Sequence, residues 1–103
     1  MKLRLHRWVG SVPSSEAELR KRCRQEGLSP YAWSNAPGDT YAAHSHGYHK
    51  VIYVLRGSIT WILPHTPQEL VADPGDRLDL PRGTVHAARV GPHGVTCLEA
   101  HKG

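Results

Sequence analysis

Three histidines of this chain stand at spacings that suit a metal site. His44 and His46 are two residues apart, and His86 follows 40 residues later, behind a Pro-Arg-Gly turn. Residues i and i+2 of a β-strand project to the same face, so the first two imidazoles can chelate one ion. A lone buried histidine is more often a core residue with a satisfied hydrogen bond. Three histidines at these spacings favour a metal ion held inside a small β-structure.

The strands that would position these histidines are predicted from Ser29 onward. Short runs alternate there with Gly- and Pro-containing turns every 7 to 12 residues. Regular punctuation of this kind is typical of an all-β sandwich or barrel. The predicted strands are 31–35, 39–46, 49–56, 58–63, 68–72, 76–80, 84–90 and 94–100. We expect residues 29–103 to form this barrel.

Residues 1–28 form an N-terminal extension with a different texture. Ser15 followed by Glu18 is a capping box, and Gly27 suits the position just after a helix. These signals predict a helix over about 16–26. Leu19 and Cys23 share one face of it, but apolar positions are few, so we expect this helix to lie on the surface.

Composition narrows the classes of function. The 103 residues suit one domain, and no run of 18 apolar residues is present to cross a membrane. No secretory signal is recognised at the N-terminus, which indicates a cytoplasmic protein. Two cysteines without such a signal, Cys23 and Cys97, are expected to be free thiols rather than a disulfide.

The net charge of +4 belongs to the N-terminal extension. Residues 1–28 carry seven basic and three acidic side chains, whereas residues 29–103 carry six of each. The basic run at 20–24 could contact phosphates, but no second helix follows after a tight turn. We interpret the run as a solvated helix face and expect no nucleic-acid partner.

Two spaced motifs carry a family resemblance. The first runs from Gly38 over five residues to His44 and His46, then over three residues to Lys50 and over six to Gly57. This pattern resembles the first motif of the cupin superfamily, which consists of small jelly-roll barrels. Every spacing fits, but Lys50 stands where the family usually has a metal-binding Glu.

The second cupin motif follows at the expected distance. It runs from Gly75 over five residues to Pro81 and Gly83, then over two residues to His86. It fits except for its last position, where Val90 replaces the usual Asn. The resemblance implies an all-β cupin jelly-roll barrel, here with a short N-terminal α-helix.

The resemblance also implies a ligand set. His44, His46 and His86 are expected to hold one divalent transition metal ion, which could be zinc, iron, manganese, nickel or copper. A protonated Lys50 cannot be a ligand. It either turns outward, or is neutral at the site, or marks a barrel without metal. His49 points outward in a regular strand, but a bulge could make it a fourth nitrogen ligand.

Two kinds of function follow. The first is a metal-dependent enzyme of dioxygenase or isomerase type, with Lys50 as a candidate catalytic residue that moves protons. With no carboxylate ligand, its pocket is expected to be electropositive and to take a small anionic molecule. The second is a non-catalytic barrel that binds or senses a metal or a small ligand.

Two further expectations concern the surroundings of the barrel. Val51, Tyr53 and Leu55 leave an apolar outer face, which predicts a homodimer, and the N-terminal LRLHRWVG could add an edge strand to the partner. Glu99 and His101 end the last strand. We expect a solvated terminus there rather than a position at the barrel mouth.

Overall fold

A computed structural model of the chain describes residues 3–10 and 12–102. It contains one α-helix and seven β-strands. In chain order they are β1 (Arg4–His6), α1 (Glu16–Gln25), β2 (Tyr31–Asn35), β3 (Thr40–His44), β4 (His49–Leu63), β5 (Gln68–Ala72), β6 (Arg77–Leu80) and β7 (His86–Lys102). The helix and the predicted strand positions are therefore confirmed, except that four predicted strands form two long ones.

The two long strands, β4 and β7, organise a single antiparallel sheet. Its strand order is β1-β6-β4-β7-β2, with β5 added to β4 and β3 added to β7. The first half of β4 pairs with the last half of β7, and the reverse holds for the other halves, with two register shifts between them. Each long strand therefore bends once, and the sheet rolls up into a barrel.

Glycines explain why the predicted strand breaks are bends. Gly57 and Gly94 have φ angles of 76° and 79°, a region that favours glycine. A Cβ at Gly57 would clash with the carbonyl oxygen of Gly94, so the two backbones approach too closely for any side chain. These glycines allow the strands to continue through a bulge instead of ending in a turn.

The inside of the barrel is an apolar core. Alternate residues of β4, starting at Ile52 and Val54, point into it and are about 1% exposed. They pack with side chains from β5, β6 and β7: Ala72, Leu78, Leu80, Ala88, Val90, Val95 and Cys97. This core fills the barrel below the histidines.

The outer face of the sheet is covered by α1 of the same chain. Leu19 and Cys23 are 0% and 1% exposed, and they pack in one cluster with Val51, Tyr53 and Leu55. The helix is therefore not a purely surface element. The apolar face that predicted a homodimer is buried within the chain itself.

The N-terminal segment also pairs within the chain. Strand β1 adds to β6, with Arg4 opposite Asp79 and His6 opposite Arg77. Ser15 caps α1 by accepting a hydrogen bond from the Glu18 amide, as the capping box predicts. No helix in the described part of the chain is long and apolar enough to cross a membrane.

Candidate metal centre

The three predicted histidines come together at one end of the barrel. His44, at the end of β3, is the cross-strand partner of His86, at the start of β7. Their ring centroids are 4.4 Å apart, and the ring of His46 lies 4.7 Å from that of His44. One possible ligand nitrogen from each of the three lies within 4.8 Å of the others. The structure thus brings together residues that are 42 positions apart in sequence.

Backbone carbonyls set the orientation of two rings. His44 Nδ1 lies 2.7 Å from the carbonyl oxygen of Ala42, and His86 Nδ1 lies 2.9 Å from that of Thr84. A carbonyl oxygen only accepts, so both Nδ1 atoms carry the proton and donate it. In a neutral imidazole this leaves Nε2 with a free lone pair. Such a hydrogen bond at the distal nitrogen is the usual support of a metal-binding histidine.

His46 supplies the test of whether the site fits a metal. Its Nδ1 lies 3.3 Å from the hydroxyl of Tyr48, whereas its Nε2 is buried and has no hydrogen-bond partner in the described part of the chain. An unpaired buried polar atom costs free energy unless something binds it. The donor set of three imidazoles is one that divalent transition metals accept. The residues present therefore fit a metal ion.

The surroundings favour the neutral, metal-binding form of these rings. Burial lowers the pKa of His46, and the positive charge of Lys50 adds to this effect. Burial also lowers the pKa of His86, against the opposing hydrogen bond to Thr84. A lower pKa means that the lone pair of each ring stays available at neutral pH.

Lys50 lies on the inward face, as strand alternation predicts. Its side chain is 13% exposed, and Nζ lies 3.3 Å from the carboxylate of Glu99. The residue does not turn outward. It lines the same cavity as His44 and His86, as a paired cation.

Glu99 is the site residue that the sequence analysis missed. It is 5% exposed and not solvated. Oε2 accepts hydrogen bonds from the Tyr31 hydroxyl at 2.6 Å and from His101 Nε2 at 2.7 Å, and Oε1 accepts one from Trp33 Nε1 at 3.1 Å. Alternation along β7 carried the signal, because Glu99 is two residues from the core residue Cys97.

The Glu99 carboxylate is held in its ionised form. Burial raises its pKa, but hydrogen bonds from Tyr31 and His101 and the charge of Lys50 outweigh burial, so the pKa lies below the usual value. The sequence predicted an electropositive pocket from the absence of a carboxylate ligand, but it did not predict that the Glu99 carboxylate offsets the charge of Lys50 at the cavity wall. Glu99 supplies the negative charge that the first motif lacks.

His49 lies on the opposite face of β4. Its Nε2 atom is 3.2 Å from the carboxylate of Asp79, and it does not belong to the three-histidine group. The bulge that would have turned it inward does not occur at this point, because the pairing of β4 with β6 is regular from Lys50 to Tyr53. Within residues 3–10 and 12–102, no fourth histidine nitrogen joins the group.

A cavity opens beside the histidines. Its volume is about 340 Å³, within the size range of small-molecule sites. Five aromatic side chains contribute to its wall. The complete lining is Tyr31, Trp33, Tyr41, His44, Tyr48, Lys50, Trp61, His86, Ala88 and Glu99.

The two cysteines take no part in this site. Both are free thiols, as expected, and both are buried. Burial raises the pKa of the Cys97 thiol to about 12, and burial also raises that of Cys23. Neither is therefore an activated nucleophile.

Comparison with known proteins shows the fold. No protein-family model and no curated protein sequence matches the chain. Among solved structures, a cupin superfamily protein from Desulfitobacterium hafniense matches 97% of this chain and 76% of its own, with 15% identity and a TM-score of 0.62.

Two enzymes also match in structure. The polyketide cyclase RemF from Streptomyces resistomycificus is 26% identical over 72% of this chain and 54% of its own, with a TM-score of 0.62. The DMSP lyase DddQ from Ruegeria pomeroyi is 24% identical over 74% of this chain and 38% of its own, with a TM-score of 0.66. The chain thus spans only part of either enzyme. The rolled antiparallel sheet and these matches show that the chain has the cupin fold.

Proposed function

We propose that His44, His46 and His86 hold one divalent transition metal ion, and that the ion serves chemistry on a small molecule in the adjacent cavity. The observation that carries this proposal is the buried Nε2 of His46, which has no hydrogen-bond partner among the residues that the structure describes, although two other imidazoles lie within reach. A bound cation gives this nitrogen, and the two oriented by carbonyls, the electron-pair acceptor they lack.

Three neutral imidazoles leave the full charge of the ion uncompensated by its ligands. When bound, such an ion acts as a Lewis acid or activates oxygen, which suits isomerase-like or dioxygenase-like chemistry. Zinc, iron, nickel and copper accept imidazole readily, and manganese is the further candidate. The similar folds of a polyketide cyclase and a DMSP lyase support catalysis on small molecules as a use of this fold.

Lys50 is the proposed proton-handling residue. Its ammonium group stands at the cavity wall, where Glu99 holds it by a 3.3 Å ion pair. An ammonium has three N–H donors, so it can bind a substrate oxygen while it keeps this pair. Lys50 would orient the substrate and donate a proton to its oxygen atom.

The alternative is a barrel that binds a small ligand without a metal and without turnover. One observation favours it, which is the effect of the Lys50 charge on the pKa of both His46 and His86. The field that disfavours protonation of these rings also opposes a divalent cation. A metal-free protein with ligand affinity would support this alternative.

The homodimer, the cytoplasmic location and the boundary between residues 28 and 29 stay predictions from the sequence. The apolar outer face no longer supports the homodimer, because α1 covers Val51 and Tyr53. Light scattering at micromolar concentration measures the state directly. A mass of one chain would contradict the dimer.

The first experiment is metal analysis by mass spectrometry on untagged protein. We expect one transition metal ion per chain in the wild type, and loss of that ion in His44→Ala and His86→Ala. His93→Ala is the matched control, because His93 is exposed on β7 and should not affect the metal. No metal after anaerobic reconstitution would contradict the proposal and favour the metal-free barrel.

A further inference from the structure

The cavity wall presents aromatic rings rather than polar groups, because the polar atoms of these rings are already used by the protein. The Tyr31 hydroxyl and the Trp33 indole N–H both donate to the Glu99 carboxylate. Both side chains therefore offer a bound molecule chiefly their ring surfaces.

Tyr41 and Tyr48 behave in the same way, and Trp61 differs. The Tyr41 hydroxyl donates to the side-chain oxygen of Asn35, and the Tyr48 hydroxyl lies 3.3 Å from His46 Nδ1. The indole nitrogen of Trp61 has no hydrogen-bond partner in the described part of the chain, but it is buried, so a ligand meets the ring and not the N–H group. The five rings form a wall that favours a flat, apolar molecule.

Two of these rings stand at the rim. Tyr31 is 47% exposed and Tyr41 is 40% exposed, and both side chains line the cavity. Their rings therefore extend the aromatic wall to the opening of the cavity. The rim and the wall therefore suit the same kind of ligand.

Lys50 is a polar group of the wall with N–H donors that a ligand can use. Of its three N–H donors, the ion pair with Glu99 at 3.3 Å uses one. Glu99 Oε2 already contacts Tyr31, His101 and Lys50, and Oε1 accepts a hydrogen bond from Trp33. A ligand can therefore find spare donors at Lys50, whereas most of the acceptor capacity of Glu99 is in use.

The charge of the site excludes a cationic ligand. Aromatic walls can hold cations, but the charges of Lys50 and Glu99 cancel, and the proposed metal ion adds positive charge. An oxygen-bearing anion is favoured by both the ion and the spare donors of Lys50.

We propose that the cavity takes an aromatic oxyanion, meaning a flat conjugated ring that carries a carboxylate or an ionised hydroxyl. The oxygen binds at Lys50, beside the three histidines, and the ring lies against the tyrosine and tryptophan side chains. The attraction between the anion and the metal ion rests on the proposed function. The aromatic wall and the N–H donors of Lys50 do not depend on it.

The test uses three probes on wild-type protein, both metal-free and loaded with Co²⁺, whose visible absorption reports occupancy of the histidines. The first probe is benzoate, which has both the flat ring and the charge. Cyclohexanecarboxylate has the same charge and carbon count without a flat ring, and benzyl alcohol has the ring without the charge. Calorimetry or quenching of tryptophan fluorescence measures each affinity. We expect benzoate to bind about tenfold more tightly than either of the others.

Two variants locate the contacts. Lys50→Met should lower benzoate affinity about tenfold and remove its advantage over benzyl alcohol. Tyr41→Leu should lower it about threefold and reduce its advantage over cyclohexanecarboxylate. Lys21→Met, on an exposed position of α1, is the matched control and should bind as wild type does.

The outcomes separate this assignment from the proposed function. Equal binding of benzoate and cyclohexanecarboxylate to Co²⁺-loaded protein would overturn the aromatic ligand and leave the metal site standing. Benzoate binding that is unchanged in Lys50→Met would overturn the role of Lys50. If Co²⁺ does not bind, the metal proposal fails, and the same probe order on metal-free protein still decides the ligand class.

Discussion

Two clusters of charged and histidine side chains lie on opposite faces of the same sheet, and they differ in how completely their polar atoms are paired. On the outer face, Asp79 contacts His6 at 3.0 Å, His49 at 3.2 Å and Arg77 at 3.0 Å. Arg77 also pairs with Glu26 at the end of α1. Every member of this cluster therefore has a partner of opposite charge or a hydrogen bond.

The cavity cluster is paired only in part. Glu99 is held by four donors, but the buried Nε2 of His46 has no hydrogen-bond partner among the described residues, and Lys50 keeps spare N–H groups. Because buried polar groups are normally satisfied, the unused capacity indicates binding. Histidine content alone therefore does not identify a binding site, since both clusters contain histidines. The unpaired polar atoms distinguish the cavity cluster.

The largest expected effect comes from breaking the outer cluster. Arg77→Met leaves Asp79 and Glu26 without their shared cation, in positions that are 13% and 35% exposed at the side chain. We expect a loss of about 3 kcal/mol in the free energy of unfolding, because the buried Asp79 carboxylate then keeps its two histidine contacts but loses its permanently charged partner. Urea denaturation measures this loss, and metal content should stay at the wild-type level.

A matched arginine shows whether burial is the cause. Arg89 pairs with Glu69, but both side chains are more than half exposed. Arg89→Met should change the free energy of unfolding by less than about 0.5 kcal/mol. Similar losses in the two variants would mean that the outer cluster does not stabilise the fold in the way argued.

The next effect comes from the cavity cluster. Glu99→Gln leaves Lys50 as a largely buried ammonium without its carboxylate, and we expect a loss of about 2 kcal/mol in stability. In Lys50→Met/Glu99→Gln, the loss should fall below the sum of the two single variants by about 1 kcal/mol, because no charge is left stranded. Denaturation of all four proteins in one cycle measures the coupling. Strictly additive losses would contradict the ion pair.

The fold was predictable from the sequence because its signals are local. Turn residues placed the strands, and alternation from His46 put Lys50, Ile52 and Val54 on the inner face, where the structure has them. Alternation could not show that Gly57 bends a strand instead of ending it. That depends on the close approach of Gly94, which belongs to a strand far along the chain.

The candidate site was predictable only where motif spacing defines it. The spacing found His44, His46 and His86, but Glu99 becomes a neighbour of Lys50 only through the pairing of β4 with β7. What covers the outer face was likewise not predictable from local signals. The apolar residues of β4 indicated that another element packs on Val51, but the local sequence could not distinguish a partner chain from α1.

The smallest expected effect is the one that separates the two clusters most sharply. His46 and His49 are three residues apart, but His46 faces the cavity group and His49 faces Asp79. His49→Gln should keep one metal ion per chain with an affinity within about threefold of wild type, since the contact it loses is the one with Asp79 on the outer face. His46→Gln should lose the ion, and metal analysis with competition against a chelator compares the two. A tenfold lower metal affinity in His49→Gln would contradict this separation. It would mean that His49 and the outer cluster contribute to metal binding.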